Sequence, residues 1–249
     1  MPEATSKYRA PALDKGLGIL ELLARSTEPL NLTAVAAGVG YSKGEIFRMV
    51  QVLEEHDYIA HEDGGYVLTN RLFLLGMERP PIKSLAEAAL PIMHQLTERT
   101  LQACHLVVAS GEMMVVIARA EPPGDLAFVV RVGHRLPLAQ STSGIVLFAF
   151  QGDEARANWL KTLDDAGVQY VRNRFLKQAN EIRAKGFASL PSGDVDAIID
   201  LSAPILKGGV AVGALTIPYV ERRPVKVSRD AVLKHLCSAV ADISTELAR

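Results

Sequence analysis

A cysteine and a histidine stand side by side at Cys104 and His105, and such a pair could form a nucleophile with its general base. They begin the apolar stretch CHLVVAS, residues 104–110, whose composition is typical of a β-strand. Successive side chains of a strand point to opposite faces, so these two side chains cannot form a dyad with each other. The adjacent pair therefore gives no support for cysteine catalysis.

Three hydroxyl side chains in a row, Ser141, Thr142 and Ser143, precede a predicted apolar helix. The sequence around them lacks the pattern of a nucleophile elbow. The chain also lacks a carboxylate pair, a glycine-rich phosphate loop and a metal-binding spacing. We therefore predict no catalytic residue, no metal site and no cofactor. A hydrolase that uses Ser143 or Cys104 stays an alternative, and it requires turnover that disappears on alanine substitution.

A third group of residues, within residues 40–56, has the chemistry to read DNA. The segment predicts an amphipathic helix, with Ser42 and Glu45 at the spacing of a capping box. On its polar side, Arg48 can bind phosphate or a guanine edge and Gln51 can read adenine. The residues predicted to contact DNA are Ser42, Lys43, Gly44, Phe47, Arg48, Gln51, Gly64 and Tyr66.

Gly44 is unexpected in this helix, because a glycine there costs about 1 kcal/mol relative to alanine. One explanation is that the missing side chain lets a DNA backbone come close. The other is that the loss of a side chain is neutral at this position. The sequence leaves both explanations open.

The elements around this helix predict a winged helix-turn-helix. Residues 12–24 have leucines at helical spacing, and Asn31 can cap a short helix before the Gly-Val-Gly turn at 38–40. Asp63-Gly64-Gly65 then predicts a hairpin. Such a module binds DNA or docks protein. The 8 Lys and Arg against 11 Asp and Glu of residues 1–80 slightly favour protein docking.

The remaining sequence predicts a second domain. Residues 79–100 predict a linker helix, which contains Pro91. Beyond it, strands, including one over residues 126–132, mix with helices without strict alternation, which predicts an α+β fold around an antiparallel sheet. The predicted divisions are a flexible tail at 1–11, a winged helix-turn-helix domain at 12–78, the linker helix at 79–100 and an α+β domain at 101–249.

Composition limits the function classes. The 249 residues are 49% hydrophobic and 22% charged, which is ordinary for a globular protein long enough for two domains. A net charge of −1 argues against strong non-specific binding to nucleic acid. No apolar run reaches the roughly 18 residues of a membrane span, and the N-terminus lacks a secretion signal. We therefore predict a cytoplasmic protein with no membrane partner.

The chain also resembles a known family, the IclR-type bacterial transcription regulators. The motifs that carry the resemblance are ALDKGLGILELLA, LTAVAAGVGYSKGEIFRMVQVLEEHDYI, DGGYVLT, GHRLPLAQSTSGIVLFAF, EIRAKGFAS, and DLSAPIL followed by GGVAVGALTIP. The resemblance implies a winged helix-turn-helix DNA-binding domain, a linker helix and a GAF-like effector-binding domain over residues 101–249. It also implies homodimers or tetramers on palindromic double-stranded operators, whose affinity small metabolites change.

The resemblance transfers unevenly to single residues. Arg48 stands at the arginine that the family keeps in its recognition helix, whereas Gly44 and Glu45 replace a usual Ser-Thr pair. Ile145 stands where many members have a lysine. The effector pocket that the resemblance implies contains Ser141, Thr142, Ser143, Leu190, Asp200 and Thr216.

The leading hypothesis is a repressor of an adjacent catabolic operon whose operator affinity a metabolite controls. The alternative is a metabolite-binding module whose winged helix docks protein. If Asp200 lines the effector pocket, it repels a second carboxylate, which predicts a neutral hydroxyl- or amine-bearing effector; it could instead cap a neighbouring turn. Residues 12–24 and 82–99 are the predicted interfaces of a homo-oligomer.

Overall fold

The computed structural model describes residues 10–78, 80–124, 127–193, 195–221 and 224–248. The chain divides into two compact units, residues 1–79 and residues 80–249. Most of the predicted N-terminal tail lies outside the described residues. No helix in the described part of the chain is both long and apolar enough to cross a membrane.

The first unit is a helix-turn-helix followed by a hairpin. Its elements are α1 Pro11–Arg25, α2 Leu32–Val39, α3 Lys43–Glu55, β1 Ile59–Glu62, β2 Gly65–Leu68 and α4 Arg71–Glu78. The predicted cap of α2 is confirmed, since the Asn31 side chain accepts the Ala34 N–H at 3.0 Å. The predicted hairpin is confirmed by the antiparallel pairing of β1 with β2.

Gly65 lets the hairpin lie against the chain that enters α2. A Cβ at this position would lie 2.3 Å from the Leu30 carbonyl carbon, too close for any side chain. Leu30 and Tyr66 exchange two backbone hydrogen bonds, of 3.0 and 2.8 Å. The wing is thereby attached to the helical core of its unit.

The core of the first unit forms where α1 packs against α2 and α3. Its buried apolar residues are Ile19, Leu20, Leu23, Val35, Ala36, Ile46, Val50 and Ile59. The predicted apolar face of the first helix is only partly buried, because Leu13 and Leu17 are 61% and 50% exposed in the single chain. That leaves two neighbouring leucines on α1 in contact with water.

The second unit is built on one antiparallel sheet. Its elements are α5 Pro80–Thr100, β3 Cys104–Ser110, β4 Met113–Ala120, β5 Arg135–Pro137, a 3-10 turn Leu138–Gln140, α6 Thr142–Ala149, α7 Asp153–Asp165, α8 Arg172–Lys185, β6 Ala188–Pro191, β7 Ile199–Lys207, β8 Val210–Tyr219 and α9 Arg229–Glu246. The strand order is β5-β4-β3-β8-β7-β6, and all pairs are antiparallel. The predicted α+β class is confirmed.

The two faces of this sheet carry two separate cores. Leu106, Leu201 and Leu215 point to the face covered by α5 and α9. Val107 and Ala214 point to the other face, which α6 and α8 cover. Because side chains alternate along each strand, the sequence of each central strand decides which residues reach the α6 side.

The prediction of a strand over residues 126–132 was wrong for residues 127–132, and residue 126 lies outside the described residues. Residues 127–132 pair with no strand, and β5 begins three residues later. The apolar pattern misled because Phe128 and Val132 stay 39% and 51% exposed instead of joining a core. The segment is held at its end, where Gly133 donates to the Val116 carbonyl at 2.8 Å.

Candidate functional site

The N-terminus of α3 is capped as the sequence predicts. The Glu45 carboxylate accepts the Ser42 N–H at 3.0 Å and the Ser42 hydroxyl at 2.8 Å. It also accepts a hydrogen bond from Lys15 at 2.9 Å. These bonds, the one from Lys15 foremost, lower the pKa of Glu45 to about 2, so this carboxylate is ionised at neutral pH. Because the Ser42 hydroxyl donates to Glu45, its proton is already engaged.

The outer face of α3 is available for contact. Arg48 and Gln51 are exposed, and neither makes a hydrogen bond or ion pair with another described residue. Phe47 beside them is 45% exposed. A Cβ added at Gly44 would meet no atom within 4 Å, so packing inside the protein does not require this glycine. Lys43 is also exposed, at the first position of the helix.

The two predicted contact residues of the hairpin differ in their surroundings. Gly64 is exposed at the tip, with a positive φ of 107° that favours glycine. Tyr66 is half-buried, and its ring packs edge-on against His61 with centroids 5.0 Å apart. Much of the Tyr66 side chain is therefore used in packing.

A cavity of about 330 Å³ lies in the second unit, on the α6 side of the sheet. Five of the six predicted pocket residues line it: Ser141, Thr142, Ser143, Asp200 and Thr216. Leu190 does not; it lines a neighbouring cavity of about 410 Å³, which Ser141 and Thr142 also border. The structure thus brings most of the predicted set together, and it places Leu190 beside that set, paired with Asp200 across β6 and β7 but lining the neighbouring cavity.

The start of α6 forms one wall of the cavity. Ser141 caps the helix by accepting the Gly144 N–H at 3.0 Å. A Cβ at Gly144 would lie 2.3 Å from the Leu138 carbonyl oxygen, so only glycine allows the preceding turn to fold onto the helix. The Thr142 hydroxyl donates to Asp200 at 3.2 Å, across from β7. This bond joins the helix to the sheet at the cavity.

The hydroxyl groups in the middle of the sheet satisfy each other. Ser202 and Thr216 are directly paired on β7 and β8, and their hydroxyl oxygens lie 2.8 Å apart. Both side chains are buried. Their hydrogen bond lets two polar side chains remain inside the unit.

His105 is a cavity residue that the sequence reasoning missed. It pairs with Thr216 across β3 and β8, and it is 5% exposed. Its Nδ1 has no hydrogen-bond partner among the described residues. Burial, and then the neighbouring His134, lower the pKa of His105 to about 4, so the ring is neutral at pH 7. The available signal was a histidine inside an otherwise apolar strand.

Cys104 points away from the cavity. It belongs to the core on the α5 and α9 side, as strand alternation predicted. Burial raises the pKa of its thiol to about 12, which keeps the thiol protonated and unreactive. No hydrogen bond joins His105 to Ser143 in the described structure. No group of three or more His, Cys, Asp or Glu among the described residues could hold a metal ion.

Both units match family models. Residues 12–63 match the IclR helix-turn-helix domain, and residues 82–245 match the domain described as Bacterial transcriptional regulator IclR C-terminal. The second match alone covers more than half of the chain.

Named relatives agree with these matches. The regulator KdgR of Escherichia coli K12 is 24% identical over 245 residues, which cover 94% of this chain and 91% of KdgR. XynR of the same organism is 31% identical over 190 residues, 71% of this chain and 73% of XynR. A solved IclR homolog from Microbacterium hydrocarbonoxydans, complexed with 4-hydroxybenzoate, has a TM-score of 0.77 at 20% identity and covers 95% of this chain and 98% of its own.

Proposed function

The chain belongs to the IclR family of bacterial transcriptional regulators and is a DNA-binding regulator under small-molecule control, and we propose a role for each of three segments. Residues 12–78 bind the operator, residues 79–100 link the two domains, and residues 101–249 bind the effector. The exposed outer face of α3 carries the first assignment. Its N-terminus is capped, and Arg48 and Gln51 are available to base edges and phosphates. The Lys43 ammonium and the tip at Gly64 add contacts to the backbone.

An electrophoretic shift on the DNA upstream of this gene tests the DNA assignment. The full chain should shift that DNA, and Arg48→Ala should weaken the shift. Lys177→Ala is a matched control, because it removes one exposed positive charge from the second unit. A protein that leaves the upstream DNA unshifted, with and without an extract of cellular metabolites, contradicts the proposal.

The effector site that we propose is the cavity beside α6. It is bordered by the sheet, by the start of α6 and by residues 128–136, and its wall contains Asp200 and Arg131 as charged groups of opposite sign. Sites for small molecules are concave, with a few polar groups on apolar walls. The homolog complexed with 4-hydroxybenzoate supports a ligand of about the size of a single ring.

We further propose a homodimer or tetramer that represses an adjacent catabolic operon in the cytoplasm. Leu13 and Leu17 of α1 are exposed in the single chain and offer an apolar surface to a second copy. Two linked winged helices on a palindrome gain affinity through effective concentration. Light scattering that reports 26.9 kDa for a protein with intact operator binding would contradict the oligomer.

A further inference from the structure

His105 is a buried cavity residue for which the fold supplies no partner. Its side chain is 5% exposed. Among the described residues, its Nδ1 is the one buried side-chain nitrogen or oxygen that has no hydrogen bond. Such an atom costs free energy, and folded proteins keep few of them. The ring lies at the wall of a cavity, so a bound molecule that induces a rotation of the ring can bring Nδ1 to a hydrogen-bond partner.

The sheet register places His105 and Asp200 at opposite ends of a polar patch, with Thr216 and Ser202 between them. His105 pairs with Thr216, and Thr216 pairs with Ser202, so the three lie in one row across β3, β8 and β7. Asp200 lies two residues before Ser202 on the same face. Two strand spacings and two residues of rise put the Cα atoms of His105 and Asp200 roughly 12 Å apart.

The space between these two side chains suits a ring with a polar group at each end. The middle of the patch needs no ligand, since Ser202 and Thr216 bond each other. The cavity, at about 330 Å³, is at the lower end of the range for small-molecule sites, which favours a single ring over a larger skeleton.

The charges favour a neutral ligand. The pKa of His105 is about 4, because the ring is buried and lies near His134, so the ring itself offers no positive charge to a carboxylate. A hydroxyl both donates and accepts, and it therefore satisfies Nδ1 in either tautomer. At the other end, a second carboxylate would face the Asp200 carboxyl group, which accepts from Thr142. Arg131 is the one cation in the described wall of the cavity. Because its side chain is exposed, water and salt screen its attraction for an anionic ligand.

We propose that the effector is a small neutral ring with hydroxyl groups at opposite ends, one bonded to His105 Nδ1 and the other donating to Asp200. This inference rests on the proposed function of the cavity as the effector site. It assigns His105 as a specificity-determining residue.

Three probes on one frame test the ligand class: 1,4-benzenedimethanol, 4-(hydroxymethyl)benzoate and benzene-1,4-dicarboxylate. They keep the ring and add one negative charge at each step. Calorimetric titration of the full chain at pH 7 should show affinity falling along the series, by about tenfold or more from the diol to the diacid. Equal or tighter binding of the diacid overturns the proposal, as does a diol that fails to bind.

Variants then test His105 itself. His105→Leu should weaken 1,4-benzenedimethanol about tenfold, the worth of one hydrogen bond, and leave 4-methylbenzyl alcohol nearly unchanged because its single hydroxyl can turn to Asp200. His105→Asn keeps a polar atom near the Nδ1 position and should retain much of the affinity, which also guards against a misfolded leucine variant. His94→Gln, exposed on α5, is the control and should bind like the parent.

The outcomes separate the two proposals. Unchanged diol affinity in His105→Leu removes His105 from recognition even if the cavity is the effector site. If the upstream DNA is not shifted by the full chain, the proposed regulatory function fails whatever the probes do. Conversely, tight binding of the diol that is lost in His105→Leu supports the inference, whichever operator the protein binds.

Discussion

The Lys15 ammonium lies 2.9 Å from Glu45 Oε1 and joins α1 to the first turn of α3. It also lies 4.5 Å from the centre of the Tyr41 ring, in the turn that precedes α3. Lys15 is 17% exposed and Glu45 49%, so the cation is the better shielded partner. One lysine therefore joins α1 to α3 and balances the acidic residue at the N-terminus of the helix that we propose to contact DNA.

Lys15→Met should weaken operator binding about 2- to 5-fold, because Glu45 is then left with an unbalanced charge. The double variant Lys15→Met with Glu45→Gln should recover part of the loss. Shift titrations at two salt concentrations measure both effects, with Lys177→Met as a control for net charge. An unchanged affinity in Lys15→Met would show that the ion pair has no role in DNA binding.

Arg48→Ala should weaken operator binding by about 1–3 kcal/mol if the side chain contacts a base. If it contacts only phosphate, binding should weaken alike on all sequences, and the salt slope should fall by about one. The measurement is a salt series on operator and unrelated DNA. A folded variant with parental affinity on both would remove α3 from the groove.

Gly44→Ala distinguishes the two explanations for this glycine. No neighbouring atom meets an added Cβ, so the variant should raise the free energy of unfolding of the first unit by about 0.5–1 kcal/mol. If the DNA backbone approaches here, the same change should weaken operator binding. Chemical unfolding followed by circular dichroism, together with shift titrations, gives both numbers. If Gly44→Ala stabilises the protein and keeps full operator affinity, the glycine has no role in DNA binding.

Asp200→Asn should reduce the preference of the cavity for a neutral ligand over an acidic one. The substitution removes the carboxylate that repels an anionic ligand and retains an acceptor for Thr142. Affinity for benzene-1,4-dicarboxylate should rise relative to 1,4-benzenedimethanol, as measured by thermal shift at neutral pH. Strong stabilisation of the parent protein by a diacid, unaffected by Asp200→Asn, would exclude Asp200 from the mechanism.

His105 should make the second unit sensitive to acid. Its pKa is about 4 in the folded chain and 6.5 unperturbed, so the unfolded chain binds more protons between these values. The free energy of unfolding should therefore decline as pH falls from about 6.5 toward 4, by up to about 3 kcal/mol. Trp159, the single tryptophan, lies in this unit and reports its urea unfolding.

In His105→Leu, that part of the pH profile should flatten, whereas the exposed His94→Gln should leave it unchanged. The leucine variant should also be at least as stable as the parent at pH 7, because it removes a buried nitrogen without a partner. A parental pH profile in His105→Leu would mean that another group controls the acid limb.

Local signals made much of the first unit predictable. The capping box of Ser42 and Glu45 and the hairpin at Gly64 depend on residues within a few positions of each other. The exposure of Leu13 and Leu17 was not predictable in this way. Helical spacing identifies an apolar stripe, but it does not determine how much of the stripe the same chain covers.

The cavity required information that spacing does not contain. His105 reaches it because β3 pairs with β8 in one particular register, and a shift of one residue would turn the ring to the opposite face. Asp200 and Thr142, 58 positions apart, were placed together only by resemblance to a family. The failure at residues 127–132 has the same origin, because a largely apolar segment can border a cavity instead of joining a sheet.

In the proposed effector site, that unpaired segment also provides a route for the ligand to enter and leave. Residues 128–131 border the cavity without any strand pairing, and the backbone is held just beyond them by hydrogen bonds between Val116 and residues 133–134. Opening such a stretch costs much less free energy than unfolding the sheet. A ligand of the proposed effector site should therefore exchange by a local opening, at a rate independent of global unfolding. The occupied fraction of the protein can then follow a changing metabolite concentration.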